Sequence, residues 1–257
     1  MKGWLLFSHA LRMVAKNASI AARLSVLPYL LGAVGTFLLM GGFFHDQVAM
    51  VFAPGARSVP TLNFAASVLL VTVTRAWIAV GWHRFALLGQ APVSLLPANG
   101  GRILAYLGAG VALTFCLVWG LWLWLGLMFW LAVFFIHLKL QGAGFAIMIV
   151  GLYFCILPFL IIVLRFSAIL PGFALRPGHK VFAGWSATRG ATGALALLAI
   201  LCTGPMGGFA YLAGQPLDGF PLAQAVVQHL VQWPMTLLMI SVLTTLYAHY
   251  IEGRPLG

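Results

Sequence analysis

In "TVTRAWIAVGWHRF", residues 72–85, Arg75 stands among valines, alanines and tryptophan with no acidic residue near it. A guanidinium in such company could grip an oxyanion, satisfy helix carbonyls, or snorkel toward a headgroup plane. Arg75 is nine residues before Arg84, about 13 Å along a helix axis. If the apolar segment ends near Arg84, an unpaired charge that deep costs at least about 2.5 kcal/mol on insertion scales. Its partners must then be backbone carbonyls, Thr72 one turn earlier, water, or a lipid phosphate drawn inward. A tilted or shorter span would make it an interfacial anchor instead, and both readings stay open.

Trp82, His83 and Arg84 close the same helix, where aromatic and basic residues anchor at headgroups. His83 and His249, both near inner helix ends, offer the sharper reading of axial haem ligands, without any recognisable binding motif. His45, Asp46, His137 and His229 have metal-binding side chains, but they come from four separated segments. No metal and no cofactor is expected. Gln224, Gln228 and Gln232 recur every four residues and share a face with Met235 and Met239. That stripe suits either a wet cavity or bonds between neighbouring helices, and the second is the plainer reading. There is no G-x-S-x-G elbow, H-E-x-x-H or phosphate loop. The three acids, Asp46, Asp218 and Glu252, leave paired-carboxylate catalysis and an acidic proton relay without residues. No catalytic residue is assigned and no enzyme is expected.

Composition fixes the solvent around these groups. Charged residues are 7% of the chain, against about 25% in a soluble domain. Hydrophobic residues reach 63%, and mean hydropathy is +1.05. So few charges could not cover a water-soluble globule, and long apolar runs in lipid have to be helical. The fold class expected is all-α: a polytopic transmembrane bundle. The net charge of +11 comes from cations that flank apolar spans singly. Orientation and anionic lipid therefore explain it better than nucleic acid, which is not an expected partner. Cys116, Cys155 and Cys202 sit inside apolar runs and read as small buried hydrophobes. No cleavable signal peptide is expected.

Residues 1–23 predict an amphipathic interfacial helix. Trp4, Phe7, Leu11, Val14, Ala18 and Ala22 share one face, and His9, Arg12, Lys16, Ser19 and Arg23 the opposite arc. Packing on the protein's own loops is the alternative. Six spans follow, about 24–44, 61–82, 103–125, 145–166, 190–213 and 223–249, each near the ~20 apolar residues a bilayer requires. Residues 103–138 are apolar throughout, too long for one straight crossing, and two short helices hinged near Gly120 would give seven spans. Six spans put nearly all Lys and Arg on one side, while seven disperse them, so the positive-inside rule selects six with both termini cytoplasmic. Residues 126–141 then overhang or lie at the interface, with Trp119, Trp122, Trp124 and Trp130 at the outer headgroups. Pro158, Pro205 and Pro234 fall within spans. "CTGPMGG" (202–208) predicts a kinked or broken fifth span, and Gly204 and Gly208 form a G-x-x-x-G packing notch.

"RFSAILPGFALRPGHKVFAGWSATRGATG" (165–193) resembles a pattern in bacterial membrane families that include the YciC-like proteins and the membrane domain of some glycerophosphodiester phosphodiesterases. In it a span ends on a basic residue and a proline, here Arg165 and Pro171. An amphipathic linker follows, and W-x-x-T-x-G, here Trp185, Thr188 and Gly190, opens the next span. "GWHRFALLGQ" (81–90) resembles a stretch common in uncharacterised bacterial proteins of this sort. The resemblance implies a six-helix inner-membrane protein without assigned chemistry; the phosphodiesterase catalytic domain is not in this chain, so its activity does not carry over. Lipid organisation, or an accessory role in a larger membrane complex, is the function expected. Anionic headgroups and other membrane-protein subunits would be the partners, met through Trp4, Arg12, Lys16, Arg75, Trp82, His83, Arg84, Arg165, Trp185 and Arg189. A small permease with a path along Arg75, Gln224, Gln228 and Gln232 is the alternative, and a haem-bearing subunit the third.

Overall fold

A computed structural model of the chain describes residues 2–40, 61–90, 100–138, 156–175, 182–214 and 221–256. Every regular element among them is helical. In chain order the α-helices are α1 (Lys2–Lys16), α2 (Ala18–Met40), α3 (Thr61–Leu88), α4 (Gly100–His137), α5 (156–167), α6 (Leu170–Leu175), α7 (Ala183–Ala187), α8 (Thr192–Gly214) and α9 (Pro221–Leu246), with a 3-10 turn at Arg189–Ala191 and a π-helical turn at Tyr247–Ile251. Five helical segments are long and apolar enough to cross a membrane: Ala18–Met40, Leu62–Leu88, Gly100–His137, Ile156–Leu175 and Val226–Ile251. The fifth expected span corresponds to α8, whose described apolar part, Arg189–Gly204, is shorter.

Several expected boundaries move. The unit drawn at 1–23 ends at Lys16. Asn17 makes the break, its side-chain amide donating to the Met13 carbonyl at 2.8 Å, and residues 18–23 already belong to α2. The fully buried positions of α1 are Gly3, Leu6 and Ala10; of the expected apolar stripe, Trp4 and Leu11 are exposed, while Phe7 and Val14 are partly buried against the bundle's cores. Gly3 and Ala10 are small enough to bring this side of α1 against α8 and α9. Leu6 and Ala10 join Leu195, Leu198, Val242 and Leu246 in one core. So α1 packs on the bundle's own helices, not on loops.

Residues 103–138 do not divide. Helix α4 runs unbroken through Gly120 and Gly126 for 38 residues, so there is no hinge at Gly120 and residues 126–137 continue the same helix. Beyond Tyr106 its large apolar side chains are mostly exposed, Trp119, Trp122, Trp124 and Trp130 included. Likewise α8 is continuous through 202–208 instead of broken, since one proline removes a single ladder bond and neighbouring groups in a membrane helix can absorb it. Pro28 is a further proline, buried inside α2, that span-counting passes over.

Small residues set the tightest pairing. Ser25, Pro28, Gly32, Thr36 and Met40 form the buried edge of α2. A side chain at Gly32 would sit 2.8 Å from the Thr74 hydroxyl oxygen of α3. Without a hydrophobic force between helices in lipid, such close approach is what holds them. The pair is antiparallel: Leu24 lies by Gly81, while Asn63 donates to the Leu39 carbonyl at 2.8 Å.

Contacts at the other helix ends converge. The end of α3 meets the start of α4 and the end of α9 through His83. It also meets α6 through Arg84, and the C-terminal segment through Arg254, which donates to the Leu87 carbonyl at 3.1 Å. The end of α5 meets the start of α8 through Arg165. The start of α2, the end of α3, the start of α4, the end of α5, the start of α8 and the end of α9 thus lie at one end of the bundle. The cations Arg23, Arg84, Arg102, Arg165, Arg189 and Arg254 lie there too, with α1 and its Lys2, Arg12 and Lys16 alongside. Among the described residues Arg75 is the cation apart from this basic end.

Candidate functional site

Helices α3, α4 and α9 part beyond the basic end and line an open-sided cavity of about 1150 Å³, with Val163, Ser167 and Leu170 on another side. The packed core explains where it begins. Ala76, Ile78, Ala79, Val80 and Trp82 of α3 are buried against Ile103, Tyr106, Leu237 and Ile240. One turn further out Gly110 on α4 and Thr72 on α3 line the cavity, and a Cβ added at Gly110 would meet nothing within 4 Å. Arg75 sits at this transition. It lines the cavity and is exposed to it, and among the described residues it makes no hydrogen bond or ion pair.

Of the glutamine stripe, Gln232 lines the cavity together with Arg75, Met235, Thr236 and Met239; Gln228 does not, and the Gln224 side chain lies outside the described residues. Thr72 donates its hydroxyl to the Val68 carbonyl at 2.7 Å, and Thr236 donates to the Gln232 carbonyl at 2.8 Å. Both hydroxyl protons are therefore committed within their own helices, and the oxygens keep only acceptor capacity. Arg75 is the charged donor in this space, and the Gln232 amide and the Thr114 and Ser167 hydroxyls bring neutral donors to the same lining.

The neighbours of Arg75 in sequence are placed differently from expectation. Trp82 and His83 are completely buried. They cannot contact headgroups, because the α3 end is enclosed by α4, α6 and α9 instead of meeting lipid. The His83 Nδ1 lies 2.8 Å from the Thr244 hydroxyl oxygen, and Nε2 lies 3.4 Å from the Tyr106 hydroxyl. Thr244 already donates to the Ile240 carbonyl at 2.9 Å. It must therefore accept from Nδ1–H, which leaves Nε2 to accept from Tyr106. Both nitrogens are engaged, and His249 turns instead to the Arg254 carbonyl at 3.0 Å, so the suggested haem pair is not brought together. A His83→Phe/Thr244→Val double-mutant cycle should give a coupling of roughly 1 kcal/mol in thermal unfolding; additive losses would deny the bond.

Arg84 donates to the Ala174 carbonyl at 3.2 Å and to Gln90 Oε1 at 2.5 Å, capping the last turn of α6. Arg165, also expected to face lipid, is only 7% exposed. It donates to the Thr192 hydroxyl at 2.6 Å and lies 5.0 Å from the centre of the Trp185 ring. Trp185 in turn stacks near Phe166, ring centres 5.2 Å apart, and Thr188 donates to the Gly184 carbonyl at 2.8 Å. The W-x-x-T segment is thus a corner clasping Arg165. Trp4, Arg12, Lys16 and Arg189 are exposed at or beside the basic end. His45 and Asp46 lie outside the described residues; His137 has its Nδ1 3.2 Å from the Val133 carbonyl of its own helix.

Sequence reasoning missed Tyr106, Thr192 and Thr244. Each is a lone polar group in an apolar run, which flags a buried partner, yet separations such as 161 residues between His83 and Thr244 give no hint of which. Comparisons with protein-family models, with curated proteins and with solved structures find no match to this chain.

Proposed function

We propose that this chain is a non-enzymatic, six-span protein of a bacterial inner membrane, with both termini cytoplasmic. In this reading it organises lipid, or joins a larger membrane complex, through its basic end. The observation that supports this is the gathering of basic helix ends described above, with α1 docked beside them and Trp4, Leu11, Arg12 and Lys16 turned outward. A cationic, aromatic end of this kind suits anionic headgroups, each nearby cation being worth about 1 kcal/mol. Trp82, His83 and Arg165 no longer belong to that surface, since the protein itself encloses them.

The test is the set of lipids and proteins retained after mild detergent extraction. Arg12→Gln/Lys16→Gln should lower the retained ratio of anionic to zwitterionic lipid several-fold; an unchanged ratio defeats the reading. In a background without the native cysteines, a cysteine at Ser186 should label from the cytoplasm, and periplasmic labelling would overturn the topology. A permease remains the second reading because Arg75 and Gln232 share one cavity; Arg75→Ala would then abolish uptake by a folded, inserted protein.

A further inference from the structure

We infer that the cavity between α3, α4 and α9 is a binding site for a monoanionic amphiphile, an oxyanion carried on an alkyl chain, with Arg75 holding the oxyanion. This goes beyond the basic-end reading and does not depend on it.

The first argument is charge. A guanidinium cannot shed its proton and has five donors and no acceptor, so in a low-dielectric cavity it requires an anion or several acceptors. The described residues hold one carboxylate, Glu252, and it is taken by Arg254 at 2.7 Å. Arg75 nevertheless stands exposed to the cavity inside the apolar segment Leu62–Leu88. The partner this position calls for therefore comes from outside those residues. Carboxylates and phosphates are the anions that match the guanidinium fork in two parallel hydrogen bonds.

The second argument is number. Among the described residues Arg75 is the one cation lining the cavity, so they oppose a single negative charge there and not a second. A carboxylate or a phosphodiester fits; a phosphate monoester or free inorganic phosphate brings charge that nothing opposes. The oxygens of Thr72 and Thr236 have only acceptor capacity left, and a bare anion gains nothing from them.

The third argument is the wall. Away from Arg75 the lining is mostly apolar, with Val68, Leu107, Phe115, Met235 and Met239 among its members and Thr114, Ser167 and Gln232 the neutral polar groups. Flexible thioether side chains accommodate a chain of no fixed conformation. Such a wall rejects a small hydrophilic anion and accepts an acyl chain. The guanidinium and the wall together describe one ligand class with its head at Arg75 and its tail along α4 and α9.

The experiment is native mass spectrometry of the full chain released from nanodiscs, titrated separately with oleate, dioleoyl phosphatidylglycerol, monoolein and inorganic phosphate. Two variants accompany it. Arg75→Gln removes the charge. Gly110→Leu fills the cavity from a glycine whose added Cβ would meet nothing within 4 Å, so folding is spared even if the first variant suffers. A one-to-one adduct is expected with oleate or with phosphatidylglycerol, whichever binds naming the source of the oxyanion, and it should weaken at least tenfold in both variants. Monoolein binding as tightly as the anions, inorganic phosphate binding alone, no adduct with either anionic amphiphile, or undiminished binding in either variant would overturn the assignment.

Discussion

Trp82→Ala should cost about 3–5 kcal/mol of stability, the range for deleting a fully enclosed tryptophan. Trp82 is 0% exposed, among Ala76, Ile78, Ile103 and Leu237, with its ring centre 5.7 Å from that of Phe85. In lipid the loss is one of packing more than of transfer from water, and no acyl chain can reach the hole to refill it. Its indole nitrogen has no hydrogen-bond partner among the described residues, so Trp82→Phe forfeits volume alone and should recover most of the stability. The counter-measurement is Trp130→Ala, at 71% exposed, expected within about 0.5 kcal/mol of the parent. Were Trp82 the headgroup anchor its sequence context suggests, the two alanine variants would melt alike.

The second large effect is expected at Gly184→Val. Helix α7 crosses α5 so closely that a Cβ on Gly184 collides with the Arg165 carbonyl oxygen. A backbone atom cannot rotate away, so the crossing itself must open. Overpacking costs about 1–3 kcal/mol where side chains can shift, and this site belongs at the upper end or above. Opening it also pulls Trp185 off Arg165 and strands a guanidinium that is 7% exposed. Gly193→Ala, whose new methyl meets nothing within 4 Å, should be neutral or slightly stabilising. Size-exclusion profiles after a heating series separate these outcomes; equal midpoints for the two variants would remove the proposed crossing.

The all-helical class, with several helices apolar enough to cross a membrane, was legible in the chain because it depends on sums. Seven per cent charge and long apolar runs permit only helices in lipid. What was not legible depends on which side of a helix faces protein. Trp82 and Trp4 occupy similar sequence surroundings, an aromatic residue near a basic one at a helix end. One is 0% exposed and the other 54%. In water a polar outer face would have distinguished them, but in lipid both faces of a helix are apolar and periodicity loses its discriminating power. The same ambiguity turned the buried face of α1 from Trp4 and Leu11 to Gly3, Leu6 and Ala10. Arg75 was conspicuous for the opposite reason: a charge in an apolar run stands out whatever surrounds it. Its company with Gln232, 157 residues away, shows only when the helices are assembled.

Helix α4 has a further consequence for the membrane around it. Its 38 residues measure about 57 Å at 1.5 Å per residue, against a hydrocarbon thickness of about 30 Å. Leaning alone would need an inclination of about 58° to conceal that length, beyond the roughly 0–40° that spanning helices adopt. Because the helix is unbroken, the remaining length stays in line with its axis and is taken up by a locally thickened bilayer, by projection beyond the hydrocarbon, or by both. Such a helix would favour thicker membrane wherever thickness varies.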